Sequence, residues 1–143
     1  MDSNEVASAF QNDSLGSDDA VGIADKIKKG ELSASLVTRD AIERAKAVNP
    51  KLNAITVENF DLAQTNSEKP FSGFFQGVPT FIKDTDEVPG LPLYLGSRSL
   101  PGEPSDKYSK AAKQIIDTGL NCLGTTTTPE FGLTGTTESL RFG

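Results

Sequence analysis

The chain has 143 residues, of which 36% are hydrophobic and 24% are charged, and its formal net charge is −6. This composition suits one modest domain and offers no basic face, so no direct nucleic-acid partner is expected. The absence of histidine excludes a Ser-His-Asp triad or a His-ligated zinc site within these residues. No apolar stretch reaches the roughly 18 residues of a membrane span, so no membrane partner is expected either.

The first 18 residues are polar and acidic and have no sustained apolar period. We expect a flexible acidic leader over residues 1–18 and an α/β domain over residues 19–143. The leader has neither the basic nor the apolar region of a secretory signal. Cys122 is the single cysteine, so no intrachain disulfide can form. Both features predict a cytoplasmic protein.

Two helices are predicted at the start of the domain. Apolar residues recur at helical spacing over residues 20–27, where Asp18 or Asp19 is the expected N-cap. A second stripe covers residues 37–48. Ser33 is its expected N-cap, and the Asn-Pro pair at residues 49–50 is its expected stop.

Three strands are predicted after these helices. A β-branched run lies at residues 52–57, and apolar runs lie at 78–82 and 120–124. Between the last two runs the sequence has an irregular Pro- and Gly-rich loop and a helix that Ser105 or Asp106 would cap. Strand, helix and strand in this order favour a parallel right-handed unit. The predicted fold is α/β, with N-terminal helices followed by the start of a mixed, mainly parallel sheet covered by helices.

Lys83 directly follows the apolar run 78–82, at the predicted carboxyl end of a buried strand. Ligands gather at such ends, so Lys83 is a candidate site residue. In one interpretation it reaches water or pairs with Asp86 or Glu87. In the other, burial favours its neutral amine, which acts as a general base. Asp84 and the two other carboxylates lack the spacing and glycine of an EF-hand loop, so no metal is predicted.

Three blocks of the sequence together resemble the N-terminal part of the amidase signature family. They are GELSASLVTRDAIERAKAVNPKLNAIT, GVPTFIKD and GLNCLGTTTTPEFGLTGTTESLRFG, and the resemblance covers roughly residues 20 to 143. It implies a serine hydrolase that acts on linear or cyclic amides without a cofactor, through a Ser-cisSer-Lys triad. Lys83 matches the lysine of that triad. The resemblance makes Asp84, Thr137 and Glu138 supporting site residues.

The same resemblance identifies what the sequence lacks. The family's glycine- and serine-rich segment, which carries the nucleophilic and the bridging serine, is expected after residue 143, so both serines are absent here. We expect the isolated chain to be inactive. Its expected partners are a small-molecule amide substrate and either the remainder of an amidase domain or a second copy of the chain. Thr125 and Thr127 also depart from the lysine and asparagine that are usual in the family.

Two alternatives stay open at this point. The chain could belong to the amidase-type subunit of a glutamine-dependent tRNA amidotransferase, which releases ammonia from glutamine with the same apparatus. It could also be a non-catalytic binding module that retains the scaffold. The continuation of the reading frame past Gly143 would separate a fragment of a longer enzyme from a complete module.

Overall fold

The computed structural model describes residues 6–143, so the first five residues of the expected leader lie outside the described residues. The helices and strands follow in chain order: α1 Ala20–Lys28, α2 Ala34–Leu52, β1 Ile55–Glu58, α3 Phe60–Asn66, β2 Pro79–Lys83, α4 Lys110–Asp117 and β3 Asn121–Thr126, with a short 3₁₀ turn at Glu130–Gly132. The predicted order of helices and strands is therefore confirmed.

The three strands form one mixed sheet in the order β1-β3-β2. β2 and β3 are parallel, as α4 between them requires, whereas β1 runs antiparallel to β3. Gly124 in β3 has a φ of 144°, and a Cβ there would lie 2.1 Å from the carbonyl oxygen of Val57. The close approach of β1 and β3 thus requires glycine at this position. The predicted α/β class is confirmed.

The sheet lies between two apolar layers. On one face Leu123 packs with residues from α2 and α3, among them Ile42 and Phe60. On the other face Ile82 and Cys122 pack with the buried Ala112 of α4 and with apolar residues of the long loop, which is residues 84–109 between β2 and α4. Successive side chains of a strand point to opposite faces, which explains why β3 is apolar at consecutive positions.

The starts of α1 and α2 are capped by the residues that the sequence predicts. The side chain of Asp19 accepts from the Gly22 amide, and that of Ser33 accepts from the Leu36 amide, as predicted. The expected start of α4 is wrong, because Ser109 is its N-cap. Ser105 instead donates its hydroxyl proton to Glu87, so a contact distant in sequence takes it away from the capping role.

The expected end of α2 at residues 49–50 is also wrong, because the helix continues to Leu52. Asn53 ends the helix in the left-handed conformation, and its amide donates to the carbonyl of Asn49. The Asn49 side chain accepts from the amides of Ala54 and Ile55 at 2.9 and 3.0 Å. These bonds satisfy the backbone around the turn from α2 to β1, so Pro50 is tolerated in the last helical turn.

The described part of the expected leader contacts α2. The Arg44 guanidinium pairs with Asp13 at 2.5 Å, and the Asp40 side chain accepts from the Ser14 amide at 3.0 Å. Leu15 is buried with α1 and α2 residues. Residues 13–18 are thus attached to the domain, and the division of the chain at residue 19 stays a prediction.

Candidate active site around Lys83

Lys83 is the last residue of β2 and pairs with Thr126 of β3. Its side chain is exposed, not buried as the general-base interpretation expects. Within residues 6–143 its side-chain nitrogen makes no hydrogen bond or ion pair, so Lys83 reaches water, as the first interpretation allows, without the alternative pairing to Asp86 or Glu87. The side-chain nitrogen of Lys83 therefore lies at the carboxyl end of a strand and has no hydrogen-bonding partner among the described residues.

Asp84 lies directly beside this lysine and is fully buried. Its carboxylate accepts from the backbone amides of Tyr94 and Gly96 at 2.9 and 3.2 Å, and its own amide donates to the carbonyl of Thr126. Burial raises the pKa of Asp84, against the two amide donors and the charge of Arg141, which lower it. The carboxylate thus binds the main chain of the long loop to the end of β2.

The loop that Asp84 holds has an unusual backbone. Leu95 and Gly96 both have positive φ, 49° and 64°, and the Ser97 amide donates to the Tyr94 carbonyl at 2.9 Å, which is the hydrogen bond of a tight turn. A Cβ at Gly96 would lie 2.4 Å from the carbonyl oxygen of Thr128. The loop therefore packs against the chain that follows β3 and has no room for a larger residue at this point.

Sequence reasoning missed a second group of side chains that holds the same loop. The buried Ser97 donates its hydroxyl proton to Glu130 at 2.5 Å. Arg141 donates from Nη1 to the carbonyls of Ser97 and Leu100, both at 2.9 Å, and its guanidinium carbon lies 3.9 Å from the centre of the Tyr94 ring. These partners are separated by more than thirty residues, and no local pattern in the sequence indicates them.

Thr137 and Glu138, the other two expected supporting residues, are exposed. Neither hydrogen-bonds to Lys83 within the described part of the chain. Glu138 lines a shallow pocket with Glu130 and Ser139, and Lys83 is not among the residues that line it. Lys83 and Asp84 are neighbours in the chain, and the roles of Thr137 and Glu138 stay a prediction.

Asp84, Asp86 and Glu87, the three carboxylates considered as ligands for a metal ion, each bind a different partner. Asp84 binds backbone amides, Asp86 accepts from the Ser109 hydroxyl at 2.6 Å, and Glu87 accepts from the Ser105 hydroxyl at 3.2 Å. Asp86 and Glu87 thus hold the start of α4 and the end of the loop. The three carboxylates therefore stabilise the loop and do not converge on one point where they could bind a cation together.

Cys122 lines a cleft between α3 and α4 together with Asn59 and Tyr108. Burial raises the pKa of its thiol, and its S–H donates to the carbonyl of Gly124 at 3.5 Å. A thiol of this kind is a poor nucleophile, because the thiolate is the reactive form. Burial also raises the pKa of Tyr108, so both groups stay protonated near neutral pH.

Comparison with known proteins identifies the class of the molecule. The family model named Amidase matches residues 36–143, and the chain belongs to this family, the amidase signature enzymes. Among residues 6–143 no helix has the length and apolar character needed to cross a bilayer. A cytoplasmic location stays a prediction.

Individual relatives place the chain within a longer framework. AmiC from Mycobacterium leprae (strain TN), a proposed amidase, is 41% identical over 135 residues, which cover 94% of this chain and 29% of AmiC. The A subunit of the glutamyl-tRNA(Gln) amidotransferase from Acidothermus cellulolyticus is 32% identical over 132 residues, covering 87% of this chain and 26% of that subunit. The chain thus spans under a third of the length of these relatives.

Solved structures agree with the sequence relatives. A 6-aminohexanoate cyclic dimer hydrolase determined with its substrate superposes with a TM-score of 0.81 at 32% identity, over 88% of this chain and 27% of the hydrolase. A bacterial aryl acylamidase of the amidase signature family gives a TM-score of 0.75 at 27% identity, over 85% of this chain and 27% of that enzyme. The fold around Lys83 is therefore that of the family.

Proposed function

We propose that this chain is the N-terminal part of an amidase that cleaves the C–N bond of linear or cyclic amides, with Lys83 as the base of a Ser-cisSer-Lys triad. The observation that carries this proposal is the placement of Lys83. It ends a strand at the edge of the sheet, its ammonium has no partner within the described residues, and Asp84 fixes the adjacent main chain. The carboxyl ends of strands are where ligands gather in α/β sheets, and this position of Lys83 supports the role.

In this proposal the neutral amine of Lys83 takes the hydroxyl proton of the nucleophilic serine through the bridging serine. The serine oxygen bonds to the amide carbon, the C–N bond breaks, and the proton passes to the departing amine. Water then releases the acid from the acyl-enzyme by the same sequence of transfers. Both serines would come from residues after 143, and the rest of the domain would cover Lys83 and favour its neutral form.

The supporting residues have different roles in the proposal. Asp84 holds the loop and the strand end beside Lys83, whereas Thr137 and Glu138 lie in an exposed segment near the end of the described chain. That segment presents apolar side chains to solvent: Leu133 is 80% exposed and Leu140 is 75% exposed. Such exposure favours a partner surface, and we assign it to the remainder of the amidase domain or to a second copy of this chain.

The test uses the complete protein and an amide substrate. Lys83→Ala and Lys83→Arg should both lower kcat by at least about 100-fold, because arginine keeps the charge but cannot act as a base. Lys107→Ala, which removes an exposed lysine, is the matched control and should retain the rate. Normal turnover by Lys83→Arg would contradict the proposal. The isolated 143-residue chain should show no turnover and no labelling by a serine-directed probe.

A second candidate function is glutamine hydrolysis within a tRNA-dependent amidotransferase. The likeness to the A subunit of the Acidothermus amidotransferase favours it. It predicts that the complete protein releases ammonia from glutamine only when partner subunits are added, and activity on simple amides without partners would exclude it. A complete protein with neither activity, and with a tight protein partner, would instead fit a non-catalytic binding module.

A further inference from the structure

The Arg141 side chain joins the end of the described chain to the long loop. Its Nη1 donates to the carbonyls of Ser97 and Leu100, and its guanidinium carbon lies over the Tyr94 ring, 3.9 Å from the ring centre. A planar guanidinium offers several donors and an apolar face at once, which a lysine does not. Arg141 therefore binds the loop through both its edge and its face.

Residues on either side of Arg141 are held as well. The ring of Phe142 packs edge-on against Tyr94, with the ring centres 5.3 Å apart. The Phe142 carbonyl accepts from the side chain of Asn53, and the Gly143 amide donates to the carbonyl of Ser139 at 2.8 Å. These bonds give the chain one defined direction at Gly143.

The other side of the same loop is bound to the site. The Tyr94 ring packs against the Arg141 guanidinium, and the Tyr94 amide donates to the Asp84 carboxylate. Asp84 directly follows Lys83 in the chain. A continuous series of contacts thus runs from Lys83 through Asp84 and Tyr94 to Arg141. Asp84 is buried and Tyr94 and Arg141 are half-buried, whereas Lys83 is exposed and joins this series only through the main chain. A shift of Arg141 would therefore be transmitted to the strand end rather than absorbed by solvent.

We propose that Arg141 is a positioning residue, which sets the direction of the chain after Gly143 relative to Lys83 and thereby places the serine-bearing segment. This inference rests on the proposed function. A proton relay needs its heavy atoms about 2.6–3.2 Å apart, and a misplacement of about 1 Å lowers the rate by about 100-fold. A residue that binds both the loop at Lys83 and the departing chain controls that distance.

The experiment compares Arg141→Met and Arg141→Lys with the wild type in the complete protein. Active sites are counted with a fluorophosphonate probe, and kcat is expressed per labelled site. Arg141→Met should lower kcat per labelled site by about tenfold or more with KM within about threefold, and Arg141→Lys should be intermediate. Arg39→Met removes an exposed arginine of α2 and should match the wild type. Equal kcat per labelled site in Arg141→Met and the wild type would overturn the inference.

A purely structural role would lower the number of labelled sites without changing kcat per site, and this outcome also overturns the inference. If Arg141→Met does not fold, Tyr94→Leu removes the ring below the guanidinium and keeps the amide that binds Asp84. A fall in its kcat per labelled site supports positioning, and an unchanged value contradicts it. Failure of the proposed function is distinct, because then the wild-type protein would neither label nor hydrolyse amides.

Discussion

Replacing Asp84 by alanine removes the acceptor of two backbone amides at the end of β2. Because the site is buried, each unpaired donor should cost about 1–3 kcal/mol, and the unfolding free energy should therefore fall by about 2–6 kcal/mol. Water that enters from the half-buried Tyr94 side would bring the value toward the lower limit. Asp84→Asn keeps one acceptor oxygen and should lose about half as much.

The assay is urea unfolding of the 143-residue chain at pH 7, combined with hydrogen exchange at the Tyr94 and Gly96 amides. Both amides should be protected in the wild type and exchange faster in Asp84→Ala. Asp106→Ala removes an exposed aspartate in the same region and should change stability by less than about 0.5 kcal/mol. If Asp84→Ala matches Asp106→Ala in stability and both amides keep their protection, the assigned role of the buried carboxylate is refuted.

Two further predictions concern stability. The Arg44 hydrogen bonds hold the pKa of Asp13 below its ordinary 3.8, so Asp13 stabilises the fold above that value and the contribution is lost as the pH falls through the lowered pKa. Asp13→Asn should accordingly cost about 1 kcal/mol at pH 7 and nothing once the carboxyl is protonated, as urea midpoints across pH would show. Leu123→Ala at a 2% exposed position should cost about 2–5 kcal/mol, and a loss below about 1 kcal/mol would contradict the assigned core.

Local patterns in the sequence predicted the parts of the fold that local physics determines. Ser33 and Asp19 are caps because a side-chain oxygen can reach an amide three residues ahead. The apolar run before Lys83 indicated a strand, and its carboxyl end lies where expected, but of the five residues of β2 only Ile82 is buried, so the expected cover on both faces is not complete. In each case the decisive interactions lie within a few residues of chain.

Other parts depended on contacts that are distant in sequence. Ser105 has the right chemistry for a cap but hydrogen-bonds to Glu87, so α4 begins at Ser109. The burial expected at Lys83 requires cover from elsewhere in the fold, which residues 6–143 do not supply. Arg141 has no local pattern that marks it, because its partners lie more than forty residues earlier.

The carboxylate of Asp84 binds main-chain amides and no side chain of the loop. Its hold on the loop is therefore independent of most of the loop's amino-acid identities. Arg98, an exposed residue of the same loop, can be exchanged without touching that anchor. Exposed positions of this kind are therefore suitable for a combinatorial library, whereas Tyr94, Gly96 and Ser97 must be kept.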